Sequence, residues 1–292
     1  MRLAAIDVGS NSLHMIIADV NRGGHFEVVD RVKEMVRLGR RTFTTGHLSE
    51  EAMDLAVRAM INFKRLARVR RVNRMRTVAT SAVREASNRV SFIRRIRRDT
   101  GIPVEVISGK EEARLIFEAA RHALGLKGGP HLLVDIGGGS VELVLVRNGR
   151  PIWMRSAKLG VARLTERFLP DDPPTGAQMR RLERHLEKQI GPLMRKARRA
   201  GAIRAVGTSG TINTLVAMAR ARRGEESGRL HGATASTAEL RHIADEIVAA
   251  NPALRADLPG IDAKRVDLMP AAAVVVSFVL KESGVPELIA CN

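Results

Sequence analysis

Two stretches of this chain, with Asp7 and Asp135 set 128 residues apart, repeat one pattern, and that repeat limits the possible folds more than any other feature. Residues 132 to 146 read LLVDIGGGSVELVLV: an apolar run, Asp135, the glycines Gly137, Gly138 and Gly139, then Ser140 and a second apolar run. Residues 3 to 20, LAAIDVGSNSLHMIIADV, keep the same order with Asp7, Gly9, Ser10, Asn11 and Ser12. Each predicts a strand, a tight turn and a returning strand, because glycine accepts the positive φ of such turns and β-branched residues suit the flanks. Glycines also leave backbone N–H groups uncovered, so an anion can approach the main chain. A carboxylate at the mouth of such a turn repels phosphate oxygens unless a cation lies between them, and Mg2+ prefers carboxylate, phosphate and water oxygens. Taken singly, either stretch reads equally well as a plain hairpin with a capping aspartate. The repetition favours phosphate: two Asp-Gly turns facing each other would make a clamp, and their spacing predicts two similar halves.

The 292 residues, 45% of them hydrophobic, suffice for two cores. The segment GLKGGP at 125–130 is the expected linker, giving domains 1–126 and 127–292. No apolar run reaches the length of a membrane span, the N-terminus leads straight into a strand rather than a signal sequence, and one cysteine, Cys291, permits no intrachain disulfide. These features predict a cytoplasmic protein with no membrane partner. The net charge is +18, with 24 Lys/Arg against 14 Asp/Glu through residue 126 and 25 against 17 beyond it, so the excess is spread over both halves. Such a surface attracts polyanions, or is simply solvated arginine. With 3% aromatic residues, no Tyr and one Trp, base-stacking platforms are scarce, and no specific nucleic-acid partner is expected.

In chain order, Phe26 to Leu38 reads as a third strand, and Ser49 caps an amphipathic helix reaching about Arg68. A short strand at 75–80 leads into TSAVREASN, which sets small hydroxyls and Arg84 at a strand's C-terminal end, where α/β sheets bind ligands. The Arg84 guanidinium can fork two phosphate oxygens or face solvent. Asn88 caps a basic helix ending at Gly101, and a strand at 103–108 precedes a helix beginning KEEARLIFEAA. Its first turn holds Glu111 and Glu112, where the macrodipole favours any carboxylate. Adjacent residues cannot share a helix face, so at most one of the two points to a cleft while the other meets solvent or an Arg. Beyond the second repeat, Pro151 to Ala157 matches the strand at 26–38, and Thr175 caps a long basic helix to about Arg199, interruptible at Gly191-Pro192. A third turn, Gly207, Thr208, Ser209 and Gly210, lies between a strand and a helix, where backbone amides converge on an anion. Helices at 237–249, 252–256 and 264–282 and a closing strand at 287–291 complete the chain. Eight scattered histidines form no zinc pattern, and no P-loop sequence is present.

These motifs, in this order, resemble the exopolyphosphatase and guanosine pentaphosphate phosphatase (Ppx/GppA) family of the actin, sugar kinase and heat-shock ATPase superfamily. The resemblance is carried by AAIDVGSNSLHMIIADV at 4–20, VATSAVREASN at 78–88, PVEVISGKEEARLIF at 103–117, LLVDIGGGSVELVLV at 132–146, LGVARLTERFLPDDPPT at 159–175 and AVGTSGTINTL at 205–215. DIGGGS recurs across the superfamily; ISGxEEARL together with DIGGGSxEL is specific to the family. The resemblance implies an α/β chain of two ribonuclease-H-like, actin-like ATPase domains with the active site in the interdomain cleft. It further implies that Glu112 orients or deprotonates the attacking water and that Asp135 and Glu142 are the acidic catalytic residues around Mg2+. Asp7 would then assist with metal or water, Arg84 would lie near the phosphates, and the turns at 9–12, 137–140 and 207–210 would bind phosphate.

The activity so implied is Mg2+-dependent release of orthophosphate from the ends of inorganic polyphosphate, by a homodimer. Hydrolysis of guanosine pentaphosphate (pppGpp) is the nearest alternative; ATP-dependent phosphotransfer and non-catalytic polyanion binding are more distant. The family continues past the last strand with a Gly-Leu-Arg-Glu-Gly-like segment, and longer members add a further helical region; neither follows Cys291-Asn292, so a truncated C-terminus is expected.

Overall fold

In a computed structural model, residues 1–21, 23–225 and 228–291 are described; Arg22, Glu226, Ser227 and Asn292 lie outside that set. The chain divides into two compact units, Met1–Ser108 and Gly109–Asn292.

The first unit runs β1 (Arg2–Val8), β2 (Ser12–Val20), β3 (Phe26–Met35), α1 (Thr42–Thr45), α2 (Glu50–Val69), β4 (Arg74–Ala79), α3 (Ser81–Glu85), α4 (Arg89–Thr100) and β5 (Glu105–Val106). Its sheet has the order β3-β2-β1-β4-β5, with the first three strands antiparallel and β1, β4 and β5 parallel. Alternation along β1 buries Ala4, Ile6 and Val8, and α2 answers with Ala52, Met53, Ala56, Met60 and Phe63 from one helical face. Ser49 caps α2 as expected, accepting from the Ala52 N–H at 3.2 Å. Asn88 precedes α4 but does not cap it. Its side chain instead holds Leu48, accepting from the backbone N–H at 3.0 Å and donating to the carbonyl at 2.9 Å. β3 stops at Met35 rather than Leu38, because Val36 and Arg37 turn their N–H groups onto the Asn11 carbonyl and Arg37 enters the left-handed region at φ 50°.

The second unit runs α5 (Gly109–Leu124), β6 (His131–Ile136), β7 (Val141–Arg147), β8 (Arg150–Ala157), α6 (Val161–Phe168), α7 (Gly176–Arg199), β9 (Arg204–Thr208), α8 (Gly210–Arg222), β10 (Thr234–Ser236), α9 (Thr237–Ala249), α10 (Pro252–Ala256), a 3-10 helix (Ala263–Leu268), α11 (Met269–Ser283) and β11 (Glu287–Ala290). The sheet order is β10-β11-β9-β6-β7-β8. Leaving out the extra edge strand β10, this repeats the first sheet strand for strand: an antiparallel meander β6-β7-β8, then parallel β9 and β11.

The division falls at Ser108/Gly109 rather than at 126/127, because α5 buries Ala113, Phe117 and Ala120 in the second core beside Leu133, Val144, Val146 and Val206. The segment expected as a linker is instead pinned within that unit: Gly149 N–H donates to Leu126 and Asn148 N–H to Gly128. α7 continues unbroken through Gly191-Pro192, anchored on both sides by buried Leu186, Ile190, Met194 and Ala197. The helix expected over 264–282 is two pieces, since Pro270 has no N–H to return to the Val266 carbonyl; that oxygen accepts from Met269 N–H and the Arg255 side chain instead. Among the described residues, no helix is long and apolar enough to cross a membrane.

Candidate active site

The second repeat folds as the sequence predicts, with β6 and β7 joined by a turn closed by Gly137 N–H to Ser140 O at 3.0 Å. The strand register sets Asp135 directly opposite Glu142, a pairing that puts two side chains on the same sheet face. Glu142 is buried to 1% exposure, while Asp135 keeps part of its surface open. One Glu142 oxygen, Oε1, accepts from the Ser156 hydroxyl at 2.7 Å, and Oε2 is buried without a hydrogen-bond partner. Asp135 accepts from the Thr208 hydroxyl on β9.

Such burial penalises negative charge. The Glu142 carboxyl is pushed up to about 9, first by loss of water, then by the charges of Glu112 and Asp135, with the Ser156 and Ser140 hydroxyls easing it only in part. Burial likewise raises Asp135, against the pull of its Thr208 bond. Glu112 reaches this group from the first turn of α5. Glu111, its neighbour, faces away and forks Arg114 with two bonds of 2.8 Å. One of the two glutamates therefore enters the acidic group and the other meets an Arg, as the helix geometry requires.

Three buried or half-buried acids with an orphan oxygen are relieved either by protonation, the direction in which Glu142 is pushed, or by a cation that takes the charged form. Among the described residues, no set of three or more His, Cys, Asp or Glu is placed to ligate one metal ion by itself. Two carboxylates that leave other positions to phosphate and water suit Mg2+, which is seldom caged by protein alone.

The third turn follows β9. Ser209 caps α8 from a left-handed backbone at φ 99°, and Gly210 opens the helix. Sequence reading missed what lies against it: a Cβ on Gly210 would come within 2.2 Å of Arg265 Nη1. Arg265 is buried, its Nε lacks a hydrogen bond, and burial lowers its pKa. Ser156, bonded to Glu142, and Gly160, pressed on the Gly137–Gly139 turn, also border this group. The N-terminus of α6 docks on the Gly137–Gly139 turn, with Val161 N–H bonding Gly137 O at 3.0 Å and Ala162 N–H bonding Gly138 O at 2.9 Å. Gly160 lies so close that a Cβ would meet Gly139 N at 2.2 Å. Of these, only the position of Gly160 beside an otherwise apolar helix start gave a sequence signal.

The remaining expected residues belong to the first unit. Asp7 is exposed and stands opposite His14, and its turn is closed by Gly9 N–H to Ser12 O at 3.2 Å. Ser10 Oγ accepts from Ala82 N–H at 3.1 Å, tying this turn to the start of α3. Arg84, on α3, donates to the Ile107 carbonyl at 2.9 Å.

A model of the Ppx/GppA phosphatase family matches residues 16–292. The chain belongs to the Ppx/GppA phosphatase family. It is 34% identical to exopolyphosphatase 2 of Mycobacterium tuberculosis, over 96% of this chain and 90% of that protein. It is 31% identical to exopolyphosphatase 1 of Mycobacterium bovis, over 100% and 85%. Among solved structures, an exopolyphosphatase from Cytophaga hutchinsonii superposes with a TM-score of 0.94 at 28% identity, covering 100% of this chain and 94% of that one. The Aquifex aeolicus Ppx/GppA family member gives 0.82 at 28% identity, with 100% and 94% covered. As a Ppx/GppA member the chain is a phosphohydrolase whose two units each carry a mixed α/β sheet, and the family generally depends on a divalent metal.

Proposed function

We propose that this chain is an exopolyphosphatase, a Mg2+-dependent enzyme that releases orthophosphate from the ends of inorganic polyphosphate. The observation that carries the reading is Glu142: a fully buried carboxylate with an orphan oxygen, beside Asp135 and Glu112. A cation there would meet the orphan oxygen and favour the charged carboxylate, and Glu112 and Asp135 lie beside it, which supports the reading.

In this reading Asp135 and Glu142 would hold the metal, with Asp7 assisting through metal or water. When bound, Mg2+ neutralises phosphate charge and polarises the phosphoryl group. The turns at 9–12, 137–140 and 207–210 orient the phosphates through backbone N–H groups, and Arg84 adds a guanidinium. Glu112 positions a water in line with the terminal phosphorus and accepts its proton as the oxygen–phosphorus bond forms. The bridging P–O bond breaks, and the shortened chain leaves with its electron pair. A phosphoanhydride is a good leaving group, so no covalent enzyme intermediate is required.

The same reading carries a cytoplasmic location and a homodimer, the latter checked by light scattering. Phosphate release from polyphosphate and from pppGpp, measured side by side with and without Mg2+, tests the function. Mg2+-dependent release chiefly from polyphosphate is expected. Preference for pppGpp would replace the substrate, and release from neither by the folded protein would overturn the hydrolase.

A further inference from the structure

The loop at 36–41 is built onto the first turn in a way that nothing above uses. Val36 and Arg37 N–H groups both donate to Asn11 O, at 3.2 and 2.9 Å, and Gly39 N–H donates to Ser10 O at 2.6 Å. Gly39 presses so closely that a Cβ would lie 3.2 Å from both the Cβ and the carbonyl oxygen of Ser10. The loop is braced from within: Arg40 N–H bonds Arg37 O, Thr42 N–H bonds Gly39 O, and the Thr42 hydroxyl donates to Leu38 O at 2.6 Å. The turn's carbonyls at Ser10 and Asn11 are thereby occupied, which removes their repulsion towards an approaching phosphate.

This braced loop carries Arg37, Arg40 and Arg41, and no Asp or Glu occurs from 35 to 49. Arg40 and Arg41 are exposed, and Arg40 makes no ion pair among the described residues. Of the six non-glycine residues with positive φ among the described residues, two fall here, Arg37 at φ 50° and Arg41 at φ 60°. Glycine would hold that backbone without strain, so arginine there is retained at a cost, and such strain gathers at ligand sites. Ordinary solvated arginines need neither the bracing nor the strained backbone.

We infer that the 36–41 loop is an arginine clamp, in which Arg40 and Arg41 grip phosphates of the substrate further along the chain than the one seated at the Gly9–Ser12 turn. The inference rests on the polyphosphate reading above and makes this loop a determinant of chain-length preference. A planar guanidinium suits two oxygens of one phosphate, and adjacent arginines suit a repeating polyanion.

The test uses Arg40→Ala, Arg41→Gly and the double variant, with tripolyphosphate and long-chain polyphosphate as probes. Steady-state kinetics is paired with equilibrium binding of the long chain and with a melting curve. Arg41→Gly suits the existing φ, so its Tm stays level or rises and loss of binding is not loss of fold. Each single variant is expected to weaken long-chain binding and raise its KM about tenfold, from the loss of a charge-assisted contact, with kcat held and tripolyphosphate affected less. Wild-type affinity for the long chain in the double variant overturns the clamp, as does an equal loss for both probes. If the wild type released no phosphate, the hydrolase reading would fall, and the binding titration would still decide the clamp.

Discussion

The two Asp-Gly hairpins share a backbone and differ in what they carry. Both close with the same turn bond, Gly9 to Ser12 and Gly137 to Ser140, and both set their aspartate opposite the second residue after that serine. In the first hairpin that residue is His14, half-buried and bonded to Ser12 Oγ at 2.8 Å; in the second it is Glu142, buried and crowded by acids. The first is braced by an arginine-bearing loop at 36–41, the second by the amide end of α6. One hairpin repeat thus sets a half-buried imidazole in one unit and a buried acid in the other, and the difference lies in side chains rather than topology.

The sharpest way to break this comparison is to remove the residue that distinguishes the halves. Glu142→Ala should lower phosphate release at least about a hundredfold, as expected for a lost metal contact, whereas His14→Ala should cost less than about tenfold. Equal losses would mean that the hairpins are chemically equivalent.

A second contrast concerns packing. Gly160→Ala would drive a Cβ into Gly139 backbone at 2.2 Å, whereas Gly39→Ala meets the Phe43 ring at 2.8 Å and Ser10 at 3.2 Å. Backbone cannot swing aside as a ring can, so Gly160→Ala should destabilise by about 1–3 kcal/mol or more and Gly39→Ala by less. Denaturant melts of both variants check the order.

The smallest effect is on pH dependence. Glu142, raised from 4.5 to about 9, holds its proton more tightly folded than unfolded. Its contribution to stability is therefore fully present below the unfolded value and lost as pH climbs through the folded one. Without divalent metal, Tm should drift down across that window, and added Mg2+ should restore it most at the alkaline end, because the metal takes the deprotonated carboxylate. A metal-insensitive, flat profile would separate Glu142 from any cation.

Much of this was legible in the chain. The hairpins, the strand-turn-helix at 207–210 and the split roles of Glu111 and Glu112 follow from glycine chemistry, strand alternation and helix geometry, which are local. What was hidden depends on partners distant in sequence. Thr208 reaches Asp135 across a parallel strand pair, Ser156 reaches Glu142 from β8, and Arg265 lies against Gly210. Nor does periodicity say which core an amphipathic helix joins, and the packing of α5 beside Leu133 and Val144 shows only in the structure.

The central claim is that the acidic group of the second unit performs hydrolysis through Glu112, and one measurement addresses it directly. Phosphate release from polyphosphate in saturating Mg2+ is compared between the wild type and Glu112→Gln, with substrate binding measured on both. The account predicts a loss of about a hundredfold or more in turnover with binding largely intact. Turnover at the wild-type rate in Glu112→Gln would contradict it.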